Sequence, residues 1–241
     1  MAHLFKNSMK VSQKPVMPGG RRELFSGFTL VELLVVVLII SVLLTVGAVG
    51  INRLTSGKGV ANGVSNVEAL FEEARSIAVG KGTIARVLVD KNANGENYLR
   101  RFLVVSQELD PQTGQPKVPE SWELSSRGVT LPEGTYFSQK FSKKDQSSGG
   151  QLEEMALAQS ATVKKDFVGD YFYYEFNREG LCTTPGATFI LGAGARPLGQ
   201  DPRVAGGAKR DFGGFVIWRN GRLSAFRSPD HIGIPSGATT F

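Results

Sequence analysis

Apolar residues follow three patterns along this chain, and each predicts a different element. The first is a run from Phe28 to Ile51 with one acid in it, Glu32, and no charge between Leu33 and Ile51. As a helix it would be about 36 Å long, at ~1.5 Å per residue, enough to cross a ~30 Å hydrocarbon core. The second is a stripe in which Val60, Val64, Val67, Leu70, Phe71, Ala74, Ile77 and Ala78 recur every three or four positions. Glu68, Glu72, Glu73 and Arg75 fall on other faces, which predicts an amphipathic helix laid against a domain and stopped by Gly80 and Gly82. Between the two, Gly47, Gly50, Gly57, Gly59 and Gly63 each weaken a helix by roughly 1 kcal/mol relative to alanine, so this stretch is able to unwind.

The third pattern is a series of short runs rich in β-branched and aromatic residues. Thr83 to Val89 and Tyr98 to Ser106 read as strands around an Asn94-Gly95 hairpin signal, and Trp122 to Leu124 and Gly128 to Phe137 as two short strands around a turn. Tyr171 to Phe176, Ala187 to Leu191, Gly214 to Trp218 and Arg222 to Phe226 read as four more, the last two joined at Asn220-Gly221. Asp110 to Pro119 and Ser142 to Gly150 read as solvated loops, and Gln151 to Lys165 as a helix with Leu152, Met155, Ala156 and Val163 on its apolar side. The fold class is therefore α+β. A long N-terminal helix, transmembrane over 28–52 and amphipathic over 53–82, packs on a mostly antiparallel β domain over 83–241. The segment around 107–170 reads as an insertion to which no role is assigned.

Charge sharpens the picture at the N-terminus. Residues 1–27 hold Lys6, Lys10, Lys14, Arg21 and Arg22 against Glu23, so losing them lowers the formal charge from +6 to +2. The basic character thus sits mainly before the apolar run, where it holds that end in the cytoplasm and sends the β domain to the other side. Glu32 is the anomaly, because an ionisable group in a membrane segment is costly and is retained with a partner.

Just upstream stands Arg21-Arg22-Glu23-Leu24-Phe25-Ser26-Gly27, a basic, polar segment ending in glycine at the mouth of the apolar run. With Phe28, Thr29, Leu30, Glu32 and Leu33, it resembles a type IV prepilin leader. The resemblance implies that prepilin peptidase cuts between Gly27 and Phe28, that the new amine on Phe28 is N-methylated, and that Glu32 serves assembly. The chemistry closes independently: a carboxylate in an apolar layer neutralises a cationic amine from a neighbouring helix, or its own Phe28 amine one turn away. Two plainer readings stand beside this one. A secretory signal cut near Ala48-Val49-Gly50 has to accommodate a run longer than such signals carry, and an uncleaved anchor leaves Glu32 unexplained.

Phe176-Asn177-Arg178-Glu179-Gly180, Phe215-Val216-Ile217-Trp218, the Asn220-Gly221-Arg222-Leu223 turn and the helix text around Ala74-Arg75-Ser76 resemble the H-type minor pseudopilins of type II secretion and their FimT-like pilin relatives. That implies a low-abundance subunit of a hetero-oligomeric filament at the inner membrane. In FimT-like relatives it implies DNA contact during uptake, for which Arg196, Arg203, Lys209 and Arg210 are the candidates here. A merely basic loop explains the same residues, and aromatics for stacking are sparse there.

Little else carries chemistry. Cys182 is the only cysteine, so no internal disulfide forms, and with residues 1–27 removed His231 is the only histidine, which excludes a histidine-based metal cluster. Asp90-Lys91-Asn92-Ala93-Asn94-Gly95 mimics the start of a calcium loop, but its twelfth position is Arg101 rather than glutamate, so it reads as an Asx-rich turn. The glycines of Gly192-Ala193-Gly194 and Gly206-Gly207 lack the context of a phosphate cradle. Lys81, Arg86, Arg100 and Arg101 read as a solvated strand face. No catalytic constellation and no cofactor motif is visible.

Overall fold

The structure, a computed structural model, describes residues 29–197, 199–204, 211–226 and 228–240, and within its helix the side chains of 42–58 lie outside that description. Helix α1 spans Leu30–Lys81. The chain divides into two compact units at Val46/Gly47, a boundary that falls inside α1.

In the first unit, α1 starts at an N-cap: the Thr29 hydroxyl accepts the backbone N–H of Glu32 at 3.2 Å. Every described side chain from Leu30 to Ser41 is exposed. No helix among the described residues is long and apolar enough to cross a membrane. The span expected over 28–52 runs into 42–58, outside the described side chains.

In the second unit, α1 ends as its sequence demands. Gly82 takes a left-handed φ of +64°, Gly82 N–H donates to Val79 O (3.3 Å) and Thr83 N–H to Ala78 O (3.1 Å), a Schellman motif. The strands are β1 (Ala85–Asp90), β2 (Arg101–Gln107), β3 (Trp122–Thr130), β4 (Thr135–Phe137), β5 (Glu153–Leu157), β6 (Gly169–Phe176), β7 (Ala187–Ala193), β8 (Phe212–Ile217) and β9 (Leu223–Ala225). They form a five-stranded sheet, β3-β2-β1-β6-β5, and a four-stranded sheet, β4-β7-β8-β9, antiparallel throughout.

The predicted stripe of α1 is what unites them. Val60, Val64, Val67, Leu70, Phe71, Ala74 and Ala78 are all buried, and Phe71 has no exposed surface. Its ring meets Tyr174 (5.1 Å) and Phe176 (6.2 Å) of β6, then Phe189 (5.6 Å) of β7 and Phe215 (5.1 Å) of β8, all edge-on. Edge-to-face rings gain energy beyond their buried area, so Phe71 holds both sheets to one helix.

The five-stranded sheet is covered on its other face too. Alternation sends Val87, Val89, Phe102 and Val104 toward α1, and Leu88, Leu103, Val105 and Tyr171 into a second core with Leu157 and Val163. Trp122, Leu124, Met155 and Phe167 pack around this second core. Much of the segment read as an insertion is therefore the cladding of that face.

Several expectations fail for identifiable reasons. Gln151 to Lys165 is not a helix: Glu153–Leu157 pairs along β6, because the free edge of β6 offers a full row of backbone partners that outweighs helix propensity. Gly128 does not begin a second strand. β3 runs through it with a register irregularity against β2, and Gly128 (φ +63°) sits so close to Phe102 that a Cβ would lie 1.8 Å from its carbonyl oxygen. Strand β2 begins at Arg101 rather than Tyr98, since Leu99 takes a left-handed φ of +57° and donates its N–H to Asp90 O at 2.9 Å. α1 is continuous through Gly47, Gly50, Gly57, Gly59 and Gly63, and the expectation that this stretch is able to unwind is not tested by that.

Candidate assembly surface and basic C-terminal region

Glu32 lies in the first turn of α1, where the helix dipole favours a carboxylate, and its side chain is exposed among Leu30, Val31, Leu33 and Leu34. A charge in a bare apolar shell is suited to pairing with a cation brought by a neighbour. Leu30 is 80 % and Leu33 61 % exposed, so this surface is covered by nothing within the described chain. Gly27 and Phe28, the expected cleavage and methylation sites, lie outside the described residues.

Of the four basic candidates, Arg196 and Arg203 lie among the described residues. Arg196 is already occupied: its guanidinium donates to Gly95 O (3.0 Å), Gln200 O (3.0 Å) and Ala93 O, and lies 4.5 Å over the Tyr98 ring. Tyr98 in turn donates to Asp201 at 2.8 Å, and burial, followed by that hydrogen bond, pushes its hydroxyl pKa up to about 12. Arg196 therefore pins the 92–96 turn. Arg203 is exposed, its backbone bridged to Ala195 and Thr240. Lys209 and Arg210 lie outside the described residues.

The strand face read as solvated is instead paired. Arg86 stacks between Trp122 (4.2 Å) and Tyr173 (4.1 Å) and donates to Glu175 at 2.7 Å. Arg101 pairs with the nearly buried Asp90 at 2.6 Å, and Arg100 donates to Leu131 O at 2.8 Å. Lys81 pairs with Glu123. Asp90 also accepts Asn92 N–H at 2.8 Å, which makes the supposed calcium loop an Asx turn closed by arginine. Among the described residues no group of acids, histidines or cysteine is arranged to hold a metal.

Three sequence features that seemed separate meet at Arg75. Its Nε donates to Gly180 O at 3.2 Å, and a Cβ on Gly221 would lie 2.7 Å from its Cδ. The Asn177–Gly180 turn and the Asn220-Gly221 turn thus converge on one helix residue. Asn177 Oδ1 accepts the N–H groups of Glu179 (3.0 Å) and Leu181 (2.9 Å), and Asn220 Oδ1 that of Arg222 (3.0 Å), which fixes both turns.

Against known proteins, residues 25–48 match the family described as "Prokaryotic N-terminal methylation motif". This chain carries a prepilin-type methylation motif. The motif implies processing by prepilin peptidase and a membrane-anchored N-terminal segment. No curated protein matches the chain. Among solved structures, the minor pseudopilin EpsH from the type 2 secretion system of Vibrio cholerae is similar at 15% identity and a TM-score of 0.33, covering 69% of this chain and 95% of that one. A second EpsH crystal structure gives 15% and 0.36, covering 70% and 94%. The type IV minor pilin FimU of Pseudomonas aeruginosa gives 12% and 0.35, covering 73% and 98%.

Proposed function

We propose that this chain is a minor pseudopilin. Prepilin peptidase cuts between Gly27 and Phe28, and the new amine on Phe28 is N-methylated. The helix over 28–52 anchors the subunit in the inner membrane with its β domain in the periplasm, and the subunit enters the pseudopilus of a type II secretion system to serve protein export. The methylation motif over 25–48 is the observation that carries this reading. The exposed Glu32 in its apolar shell supports it, as a carboxylate placed to receive the amine of an adjacent subunit. The choice of a secretion machine rests on the resemblance of the Asn177–Gly180 and Asn220-Gly221 turns to H-type pseudopilins. A FimT-like role in DNA uptake relies on four cations, one of which, Arg196, is spent on backbone carbonyls.

The test is mass spectrometry of the N-terminus of the membrane protein, in cells with and without prepilin peptidase. A chain starting at N-methylated Phe28 only when the peptidase is present is the expected result, and an intact leader or a start near Ile51 overturns the reading. Deleting the gene separates the machines: loss of protein secretion is expected, and loss of DNA uptake with secretion intact overturns the secretion role.

A further inference from the structure

The dipeptide Asn-Gly occurs three times in the chain, at Asn62-Gly63, Asn94-Gly95 and Asn220-Gly221. It carries a reaction of its own. The backbone nitrogen of the glycine attacks the side-chain carbonyl carbon of the asparagine, a C–N bond forms, and a five-membered succinimide ring closes. The side-chain NH₂ departs with the glycine N–H proton as ammonia. Water then opens the ring at one carbonyl or the other, giving aspartate or isoaspartate. Glycine permits the attack because it has no Cβ to hinder it. Nitrogen and side-chain carbon have to meet, so a fold that holds either of them away suppresses the reaction.

Two of the three sites are held. Asn62 and Gly63 lie inside α1, where each backbone N–H is spent on the carbonyl four positions back and the dihedrals of the asparagine are fixed. Gly63 is also buried, and a Cβ on it would lie 3.0 Å from Leu191 and 3.1 Å from Leu131, so the helix has no room to turn that peptide. At the C-terminal site, Asn220 Oδ1 accepts the N–H of Arg222 at 3.0 Å, which holds the side-chain carbonyl toward residue 222. Gly221 is buried there against Gly180 O.

Asn94 is held by neither device. It is exposed in the 92–96 turn, its backbone N–H donates to Asn92 Oδ1 at 3.2 Å, and its side-chain amide bonds to none of the described residues. Gly95 N–H donates to Asn92 O at 2.9 Å, but Gly221 N–H donates to Trp218 O at the same distance, so that bond does not separate the two turns. The asparagine side chain does, pinned at 220 and able to rotate at 94. Arg196 grips the carbonyls of Ala93 and Gly95, on either side of the reacting peptide, and leaves the Asn94 side chain alone.

We infer that Asn94 is a site of spontaneous covalent modification, converted through a succinimide to aspartate and isoaspartate while Asn62 and Asn220 persist. The product sets a carboxylate close to Arg196 where a neutral amide stood, and isoaspartate adds one carbon to the backbone of the turn that Arg196 grips.

The experiment ages the full chain in detergent micelles at mildly alkaline pH, then locates the conversion of each asparagine to an acid by peptide mass spectrometry with fragmentation. Asn94 is expected to convert at least tenfold faster than Asn62 and Asn220. In guanidinium chloride the three rates are expected to converge, because the dipeptide is the same and only the fold distinguishes the sites. Conversion of Asn62 or Asn220 as fast as that of Asn94 in the folded chain overturns the inference, as does an Asn94 that converts in denaturant alone. An order of rates that persists in denaturant assigns the difference to local sequence and overturns it too. Isoaspartate at position 94 alongside aspartate is the signature of the ring, and aspartate alone overturns the route.

Discussion

Arg75 on α1 donates through Nε to the carbonyl of Gly180, 3.2 Å away, across 105 residues of sequence. Gly221 completes the contact. It has a φ of +75°, and a Cβ there would stand 2.6 Å from Gly180 O. Any side chain is excluded by backbone, which cannot swing aside. Gly221→Ala is expected to lose about 1 to 3 kcal/mol from left-handed strain alone, with the clash in addition. Chemical denaturation followed by tryptophan fluorescence measures it, and an unchanged midpoint removes Gly221 from the list of residues that dock the helix.

Phe71 stands at the centre of four edge-on ring contacts drawn from both sheets. Phe71→Ala is expected to cost about 3 to 5 kcal/mol, the range for deleting a buried aromatic ring. Val79→Ala, on the same helix but 53% exposed, is expected to change stability by less than about 0.5 kcal/mol. Comparable losses for the two would show that the helix face is not the centre of the fold.

Arg86 lies between two aromatic rings with its charge on Glu175, and the two side chains are 14% and 15% exposed. Removing one partner leaves the other buried and unmatched, so Arg86→Ala is expected to cost about 3 to 5 kcal/mol. Arg86→Lys recovers only part of this, because an ammonium does not stack as a planar guanidinium does. Full rescue by lysine, read from melting curves, would reduce the site to simple charge pairing.

Hydrogen bonds from Lys144 and then Tyr173 hold the Glu153 carboxyl below its ordinary pKa. A depressed folded-state pKa contributes stability above the unfolded value, and that contribution disappears as the pH falls through the folded one. The loss is therefore expected to begin near pH 4.3, the ordinary glutamate value, and to continue below it. Lys144→Met is expected to make the acid limb of the stability profile shallower, and an unchanged limb would show that Glu153 titrates as though alone.

Glu32→Ala is expected to leave the N-terminal cut and methylation intact while lowering co-purification with other filament subunits at least tenfold. Normal assembly of this variant would leave the carboxylate without the role proposed for it.

How much could be read in the chain depends on whether local sequence carried the information. The stripe from Val60 to Ala78 did, because one face of a helix repeats its burial every turn, and all but Ile77 of its members are buried. The Asn220-Gly221 turn did so too, since its chemistry is complete within four residues. β5 did not. Its composition favours a helix, and the strand exists because β6 has an edge to fill, which no local pattern reports. Arg196 and Arg86 misled in the same way: a charge looks solvated until the fold sets carbonyls or rings around it. The 25–48 motif was legible because its signal is contained in consecutive residues.

The position of Phe71 has a mechanical meaning for any domain loaded along its helix. Load applied along the second half of α1 enters the domain at a ring gripped simultaneously from β6, β7 and β8, so it is borne in shear across both sheets and not by peeling one of them away. The helix is the handle by which such a domain is carried, and both sheets travel with it.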